Sequence, residues 1–218
     1  MTELLDAYDR EGRLIKTAKK DKLLSEIKEH SLREGDAHLA VPAVFLMLVH
    51  PEKGMYVVKR ADKSENPHLW CKTVGGHVHH GETPDNALSR EAIEEIRTEV
   101  KIEHSVDQYM RNMRTADLSH TAVVRLVDIQ PWFATDRIDR GGRPWRRRFR
   151  AHIYTGVLEK ETLEFTARTD AQEFSDGLGE AVECMFYQKN ELRELIEKGD
   201  RRFTHDLSVL VRDYYPFL

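Results

Sequence analysis

The sequence is poor in cysteine, with only Cys71 and Cys184 in 218 residues. Two cysteines are too few for a disulfide framework, and the sequence lacks the CxxC spacing typical of zinc sites. The longest apolar run, residues 40–49, contains Pro42 and is too short to span a bilayer. The N-terminus has acidic residues early and no apolar stretch typical of a signal peptide. These absences predict a cytoplasmic protein without a membrane segment.

The sequence also lacks an excess of basic residues. Its formal net charge is −4 at pH 7, so nucleic acid is not the expected partner. Hydrophobic residues make up 40% and charged residues 33% of the chain, which is typical of a globular protein. The length is sufficient to bury a core.

Apolar patterns predict strands and helices in a mixed order. Residues 6–18 indicate a hairpin, residues 21–35 an amphipathic helix, and residues 38–50 a buried strand. The elements that follow lack the regular βαβ spacing of a doubly wound fold. We therefore predict one α/β domain, residues 39–218, preceded by an N-terminal extension of a hairpin and a helix, residues 1–38.

A helix with clear boundary signals begins after Thr83. Thr83 is a typical N-cap, and Pro84 occupies the first helical position. Within this helix, Glu94 and Glu95 lie three and four residues after Glu91. Residues at these spacings lie on one side of a helix. Carboxylates this close repel one another unless a cation lies among them, and their oxygens suit Mg²⁺ or Mn²⁺. The spacing indicates a metal site, whereas an isolated acidic helix face is more often merely solvated.

Upstream residues extend this helix into a longer pattern. From Gly76 the sequence reads G-x5-E-x7-R-E-A-x-E-E, which closely resembles the Nudix box, G-x5-E-x7-R-E-U-x-E-E-x-G-U, where U is apolar. Seven of the nine specified positions match if Ala92 is accepted as apolar. The exceptions are Arg97 and Thr98, at the final glycine and apolar positions. Because arginine costs roughly 1–2 kcal/mol in a left-handed conformation, we expect the helix to continue to about Val100.

The resemblance implies a Nudix α/β/α sandwich with a mixed sheet. It implies a pyrophosphohydrolase that uses Mg²⁺ or Mn²⁺ and water to cleave the diphosphate linkage of a nucleoside di- or triphosphate, or of a nucleoside diphosphate derivative. The partner would be a nucleotide or another diphosphate small molecule. A homodimer is an assembly common among relatives, although no interface can be read from the sequence.

The resemblance also implies roles for individual residues. Arg90 would orient the glutamates, Glu82 would brace the loop against the helix, and one glutamate would act as base toward water. The implied catalytic residues are Glu94, Glu95, Arg90 and Glu82. The implied metal ligands are Glu91, Glu94, Glu95 and the backbone carbonyl of Gly75.

Three further residues are candidates for substrate binding: Arg60, Arg148 and Glu183. Arg60 ends a predicted strand, and Glu183, like Glu180, precedes an aromatic strand. Arg148 belongs to residues 137–150, which carry seven arginines and one acid. Arginine binds phosphate through two parallel hydrogen bonds. The segment has three interpretations: a solvated hairpin loop, a phosphate or nucleotide contact, or a surface for nucleic acid or protein.

Residues 4–47 resemble the leader of isopentenyl diphosphate isomerases and their hydrolase relatives. The isomerase cysteine precedes the Gly-His of the box loop, where this sequence has Gly75, and Cys71 lies four residues earlier. Isomerase chemistry is therefore disfavoured. The main alternative to a hydrolase is a non-catalytic module that binds a nucleotide, RNA or protein, as Arg97 and the arginine-rich segment suggest.

The box loop also contains three histidines, His77, His79 and His80. Histidine is a common metal ligand, so a zinc site is an alternative use of this loop. We favour packing and hydrogen-bonding roles for these side chains, with the metal bound by the downstream glutamates.

Overall fold

The computed structural model describes residues 3–165 and 181–217, which form ten strands and five α-helices. None of these helices combines the length and the apolar character that a membrane crossing requires. The strands are β1 (Leu4–Tyr8), β2 (Leu14–Lys19), β3 (Ala40–His50), β4 (Gly54–Arg60), β5 (Trp70–Cys71), β6 (Val74–His77), β7 (Glu99–Glu103), β8 (Thr121–Ile138), β9 (Pro144–Val157) and β10 (Ala181–Tyr187). The helices are α1 (Lys20–Glu34), α2 (Pro84–Ile96), α3 (Val106–Thr115), α4 (Lys189–Glu197) and α5 (His205–Tyr214), followed by a 3₁₀ turn (Tyr215–Phe217).

The strands form one mixed sheet with the order β10-β4-β3-β9-β8-β7. The pairs β3–β9 and β7–β8 are parallel, and the other pairs are antiparallel. Beyond this order, β3 also pairs with β6 and β1, and β4 pairs with β5. β3 is therefore the strand that joins the N-terminal hairpin, the box loop and the main sheet.

Helices cover both faces of the sheet. Because side chains alternate across a strand, Val44 and Leu46 of β3 enter one core with Leu88 of α2, whereas Phe45 and Met47 enter the other. The second core also contains apolar side chains of α1, α4 and α5. This three-layer arrangement confirms the predicted α/β/α sandwich with a mixed sheet.

The N-terminal hairpin and α1 pack directly on the sheet. Tyr8 of β1 pairs with Ala40 of β3, and α1 places Leu23 and Ile27 in the same core as Phe45. The predicted hairpin and helix are therefore present and share a core with the rest of the chain. The domain boundary after residue 38 stays a prediction.

Helix α2 ends earlier than expected, and the prediction that it continues to Val100 was wrong. The last helical residue is Ile96, and Arg97 has a left-handed backbone conformation with φ 48° and ψ 44°. The Arg97 N–H donates to the Ile93 carbonyl at 3.2 Å, and Thr98 is buried. β7 then begins at once in parallel pairing with β8. Tertiary pairing thus overrides the local preference of arginine.

The arginine-rich segment, residues 137–150, lies mainly in the paired ends of β8 and β9. The turn between them contains Gly142 with a φ of 76°, as a hairpin tip requires. Only 6% of Arg137 and 5% of Arg147 is exposed, and Trp145 is also buried. The interpretation of the whole segment as a solvated loop was therefore wrong.

Candidate active site

The start of α2 fixes the position of the box residues. The Thr83 hydroxyl accepts a hydrogen bond from the Asn86 N–H at 3.2 Å, and Pro84 occupies the first turn. Both features match the sequence prediction. The helix consequently starts immediately after the loop that follows β6, so its acidic side faces that loop.

Arg90 is the centre of the ion-pair network. Its Nε and Nη2 contact the two carboxylate oxygens of Glu82, both at 3.0 Å. Its Nη1 lies 2.7 Å from Glu91 Oε1 and 3.2 Å from Glu94 Oε2, and Nη2 also donates to the His77 carbonyl. Burial alone would lower the pKa of Arg90, but Glu82 and Glu91 outweigh it and raise the pKa. Arg90 therefore makes the contacts that the resemblance implies.

Gly75 and Gly76 of β6 each contact a glutamate of α2. A Cβ atom at Gly76 would lie 1.9 Å from Glu91 Cδ, so a larger residue would displace that carboxylate. The Gly75 N–H donates to Glu95 Oε2 at 3.2 Å. We call the set that these contacts hold together the glutamate cluster: Glu82, Arg90, Glu91, Glu94 and Glu95.

The glutamate cluster has donor groups that fit a divalent cation. Carboxylate oxygens and a backbone carbonyl are hard ligands, and the space at Gly76 lets Glu91 lie against the loop. In this geometry Nη1 of Arg90 bridges Glu91 and Glu94. Within residues 3–165 and 181–217, no three His, Cys, Asp or Glu side chains converge on one possible metal position.

The three loop histidines contact different partners. Burial holds the pKa of His77 well below its ordinary value, and nearby cations lower it further. His79 Nε2 lies 3.6 Å from Glu3, and His80 Nδ1 lies 2.9 Å from Asp6. His79 and His80 therefore link the box loop to the N-terminal region, and the three histidines do not converge on one metal position among the described residues.

A cavity of about 380 Å³ opens beside the glutamate cluster. This volume is within the range of small-molecule sites, roughly 300–1,000 Å³. Its apolar surface includes Phe45 and Phe149, whose rings pack edge to face with centroids 5.3 Å apart. A second group of charged side chains lines the same cavity, and we call it the arginine cluster: Lys28, Arg60, Glu65, Arg137 and Arg147.

Glu65 lies at the centre of the arginine cluster. Its Oε1 accepts a hydrogen bond from Arg147 Nη2 at 2.8 Å, and its backbone carbonyl accepts one from Arg60 Nε at 3.3 Å. Arg137 and Arg147 each lie over the Phe149 ring, with Cζ 5.6 and 5.9 Å from its centroid. The cluster thus continues directly from the aromatic surface of the cavity.

A buried carboxylate connects α5 to the cavity. Asp206 Oδ2 lies 2.7 Å from Lys72 Nζ and 3.7 Å from Arg137 Nη2. Burial alone would raise the pKa of Asp206, but Lys72 and Arg137 outweigh this effect and lower it. The Lys72 ammonium also lies 4.4 Å from the Phe45 ring centroid. Asp206 therefore holds two cavity cations in place.

The candidate substrate-binding residues do not all come together. Arg60 lines the cavity, whereas Arg148 and Glu183 do not. The Nε of Arg148 pairs with Asp36 at 2.9 Å, and the Arg148 side chain lines a separate cleft. Glu183 pairs with Lys59 on the exposed surface. Their substrate contacts stay predictions. Glu180 lies outside the described residues.

Sequence reasoning singled out none of six cations that line the cavity, although two of them belong to the segment considered for phosphate contact: Lys20, Lys28, Lys63, Lys72, Arg137 and Arg147. One signal was available for Arg147. In a strand that contains Trp145 and Phe149, Arg147 has the parity of the apolar positions, whereas Arg148 has the opposite parity. Gly141 and Gly142 favour a loop in this segment, and that signal obscures the alternation. Lys28 and Lys72 carry no comparable local signal.

Comparisons with known proteins agree with this architecture. The NUDIX domain family matches residues 40–207. The chain is similar to the crystal structure of DR0079 from Deinococcus radiodurans, with a TM-score of 0.59 and 18% identity over 97% of this chain and 98% of that chain. It is also similar to a NUDIX family hydrolase from Clostridium perfringens, with a TM-score of 0.44 and 17% identity over 78% and 93% of the two chains. No curated protein sequence gives a significant match. Since the family match covers most of the chain, this protein belongs to the NUDIX domain family.

Proposed function

We propose that this protein is a metal-dependent pyrophosphohydrolase that cleaves the diphosphate linkage of a nucleoside di- or triphosphate, or of a nucleoside diphosphate derivative. The observation that carries the proposal is the arrangement of Arg90, which pairs with Glu82 through two contacts and bridges Glu91 to Glu94 beside the cavity. This arrangement keeps several carboxylates close together on one rigid helix. Such preorganised charge is what phosphoryl transfer requires.

Glu91, Glu94 and Glu95, with the backbone carbonyl of Gly75, would hold Mg²⁺ or Mn²⁺. A divalent cation there would neutralise charge on the phosphoryl oxygens and make a water more acidic. Glu91 packs against Gly76 with 13% of its side chain exposed, whereas Glu94 is 38% exposed. Glu91 thus suits a fixed ligand role, and Glu94 or Glu95 would accept the proton of the attacking water.

The other groups would position the diphosphate. Arg90 holds the box glutamates and the loop together, with Glu82 as its two-point partner. Arg60 and Lys72 line the cavity. Lys72 would offset charge on the diphosphate, and Arg60 would contact another part of the substrate. We keep Arg148 and Glu183 as proposed contacts for a part of the substrate that extends beyond this cavity.

A non-catalytic binding module is the alternative from a different functional class. Its sequence marks are Arg97 and the arginine-rich segment. Arg97, however, has the left-handed conformation that a glycine would take there, and the contacts of Glu91 and Glu94 lie upstream. This observation supports the hydrolase. Isomerase chemistry is less well supported, because Cys71 lies in β5 and burial raises the pKa of its thiol to about 11. The isomerase-like branch of relatives remains our proposal for the origin of the N-terminal extension.

The test is phosphate release from nucleoside di- and triphosphates, nucleotide sugars and dinucleotides, with Mg²⁺ or Mn²⁺ and with EDTA. We expect metal-dependent turnover of at least one class, and a loss of roughly 10²-fold or more in kcat for Glu94→Gln. Glu197→Gln is the matched control, because that carboxylate is 53% exposed on α4 and does not line the cavity. If no substrate turns over and Glu94→Gln leaves nucleotide binding unchanged, the hydrolase proposal should be replaced by the binding module.

A further inference from the structure

The arginine cluster has four cations and one carboxylate at one wall of the cavity. Two buried carboxylates outside the cluster approach two of its cations, since Asp139 lies 3.7 Å from Lys28 Nζ and Asp206 lies 3.7 Å from Arg137 Nη2. Glu65 is its only acidic member, and the charges of Arg147, Arg137, Arg60 and Lys28 all act on that carboxylate. Burial alone would raise the pKa of Glu65, yet these four cations outweigh it and lower the pKa. A carboxylate in this position therefore experiences a strongly positive environment.

Burial makes the charge of Arg147 costly for the protein alone. Arg147 and Arg137 are almost entirely buried, and burial lowers the pKa of Arg147 to about 10 despite its contact with Glu65. The Nε of Arg147 is buried and has no hydrogen-bond partner in the described parts of the chain. Buried cations and buried N–H donors normally have anionic or hydrogen-bonding partners. An anion beside Arg147 would balance the buried charge and would accept a hydrogen bond from Nε.

We propose that the arginine cluster binds a phosphate group of the substrate that is additional to the scissile diphosphate. The inference rests on the proposed function, because it defines this phosphate relative to a diphosphate held at the glutamate cluster. Both clusters line one cavity, so a single small molecule can contact both. The substrate class is then a diphosphate compound that carries another phosphate on the part of the molecule that does not react.

Phosphate is the anion that this group of donors suits. Arginine presents parallel N–H donors that match phosphate oxygens, and lysine adds a point charge. The cations come from separate elements, α1, β4, β8 and β9, so they surround a volume instead of forming a flat surface patch.

Lys28 is the member of the arginine cluster that lies in the N-terminal extension, so this extension would contribute to the recognition of the additional phosphate. It lies on α1, before the residues that match the NUDIX domain family, and its Nζ is 5.7 Å from the Trp145 ring centroid. Its side chain is 27% exposed, so replacing it perturbs the core less than replacing Arg147. Lys28 is therefore the best position for a test.

The first experiment measures binding of inorganic phosphate to the full chain by calorimetry in EDTA, without any divalent cation. We expect saturable binding that weakens roughly tenfold or more in Lys28→Met and in Arg147→Met, because each removes a charged donor. The matched controls are Lys22→Met, an exposed lysine on α1, and Arg146→Met, a neighbour of Arg147 that is 40% exposed and does not line the cavity. Both controls should stay within about twofold of the wild type. Circular dichroism shows whether Arg147→Met is folded, and Lys28→Met decides the matter if it is not.

Absence of phosphate binding in the wild type, or equal weakening by Lys22→Met and Lys28→Met, would overturn the inference. This test needs neither bound metal nor turnover. Phosphate binding without diphosphatase activity would therefore contradict the proposed function alone, whereas turnover without phosphate binding would contradict this inference alone.

The second experiment uses substrate pairs that differ by one remote phosphate, such as NADPH and NADH. We expect the more phosphorylated member to have a kcat/KM roughly tenfold higher, and Lys28→Met to remove this preference mainly through KM. Glu94→Gln should instead lower kcat for both members. A preference that survives in Lys28→Met, or equal kcat/KM values for the two members, would contradict the assigned substrate class.

Discussion

The glutamate cluster and the arginine cluster line one cavity, but the chain builds them in different ways. The glutamate cluster lies within one β6-loop-α2 segment, and its contacts span at most 20 positions along the chain. The arginine cluster unites α1, the end of β4 with the segment after it, and the paired ends of β8 and β9. Its contacts, such as Glu65–Arg147, span up to 82 positions. One cluster is thus a local motif, and the other exists only after the sheet has formed.

The two clusters also distribute charge in opposite ways. In the glutamate cluster a single cation, Arg90, serves three carboxylates, whereas in the arginine cluster Glu65 is surrounded by four cations. The first arrangement favours a cation and the second an anion. Burial differs as well, since 25% of the Arg90 side chain is exposed and only 6% of the Arg147 side chain. We therefore expect substitutions near the arginine cluster to affect stability more, and substitutions in the glutamate cluster to affect metal binding more.

The largest stability effect should come from Asp206→Asn. This change removes the carboxylate that holds Lys72 and Arg137, while both cations remain buried. Breaking a buried ion pair in this way costs about 3–5 kcal/mol of unfolding free energy. Urea unfolding at pH 7 measures it. The matched control is Asp136→Asn, whose pair with Arg146 is 46% and 40% exposed and should contribute less than about 1 kcal/mol.

The pH dependence of this effect has a defined sign. The pKa of Asp206 is below its ordinary value of 3.8 in the folded protein, so the ion pairs stabilise the fold fully above that pH. As the pH falls below about 4, the unfolded state takes up a proton first, and the stabilisation declines. The stability difference between the wild type and Asp206→Asn should therefore shrink below about pH 4. A difference that is constant from pH 7 to pH 3 would show that the carboxylate charge is not its source.

The contrast between local and long-range construction explains what the sequence could predict. Thr83 and Pro84 mark the start of α2, and the glutamate spacing marks one side of it, so the box could be located without the fold. Arg147 required knowledge of the β9 register, because a shift of one residue exchanges it with Arg148. Asp206 lies 134 positions after Lys72, and no local pattern connects the two. The end of α2 at Ile96 likewise depends on the pairing of β7 with β8.

A smaller effect, on metal binding more than on stability, should follow from Gly76→Ala. The added Cβ would lie 1.9 Å from Glu91 Cδ, which forces the carboxylate away from its 2.7 Å contact with Arg90. The atom that must move is the end of a flexible side chain, so the fold should tolerate the change. We expect the Mg²⁺ concentration for half-maximal turnover to rise roughly 10–100-fold, as when the groups that orient metal ligands are altered.

Gly141→Ala is the matched control for Gly76→Ala. Its Cβ would lie 3.2 Å from Asp139 Oδ1, in the β8–β9 turn and away from the glutamate cluster. The Mg²⁺ titration of this variant should coincide with that of the wild type. An unchanged Mg²⁺ requirement in Gly76→Ala would remove Glu91 from the proposed ligands and would weaken the distinction between the two clusters.

The smallest effect should come from Arg97→Gly, at the end of the box helix. Arg97 has φ 48° and ψ 44°, and a non-glycine residue pays roughly 1–2 kcal/mol for this conformation. Glycine removes that cost but gives the unfolded chain more freedom, so we expect a net gain of about 1 kcal/mol in unfolding free energy. Urea unfolding measures the gain, and phosphate release at several Mg²⁺ concentrations shows whether the glutamate cluster is affected.

The end of α1 provides the converse substitution. Gly35 has φ 81° there, and its N–H donates to the Ser31 carbonyl at 2.9 Å. Gly35→Ala should therefore lose about 1 kcal/mol, since alanine must take the left-handed conformation that Arg97 takes after α2. If Arg97→Gly is more stable and keeps the Mg²⁺ requirement of the wild type, the departure from the box pattern affects only helix termination. A changed Mg²⁺ requirement would instead mean that the end of α2 helps to position the glutamates, and the glutamate cluster would then depend on tertiary structure as the arginine cluster does.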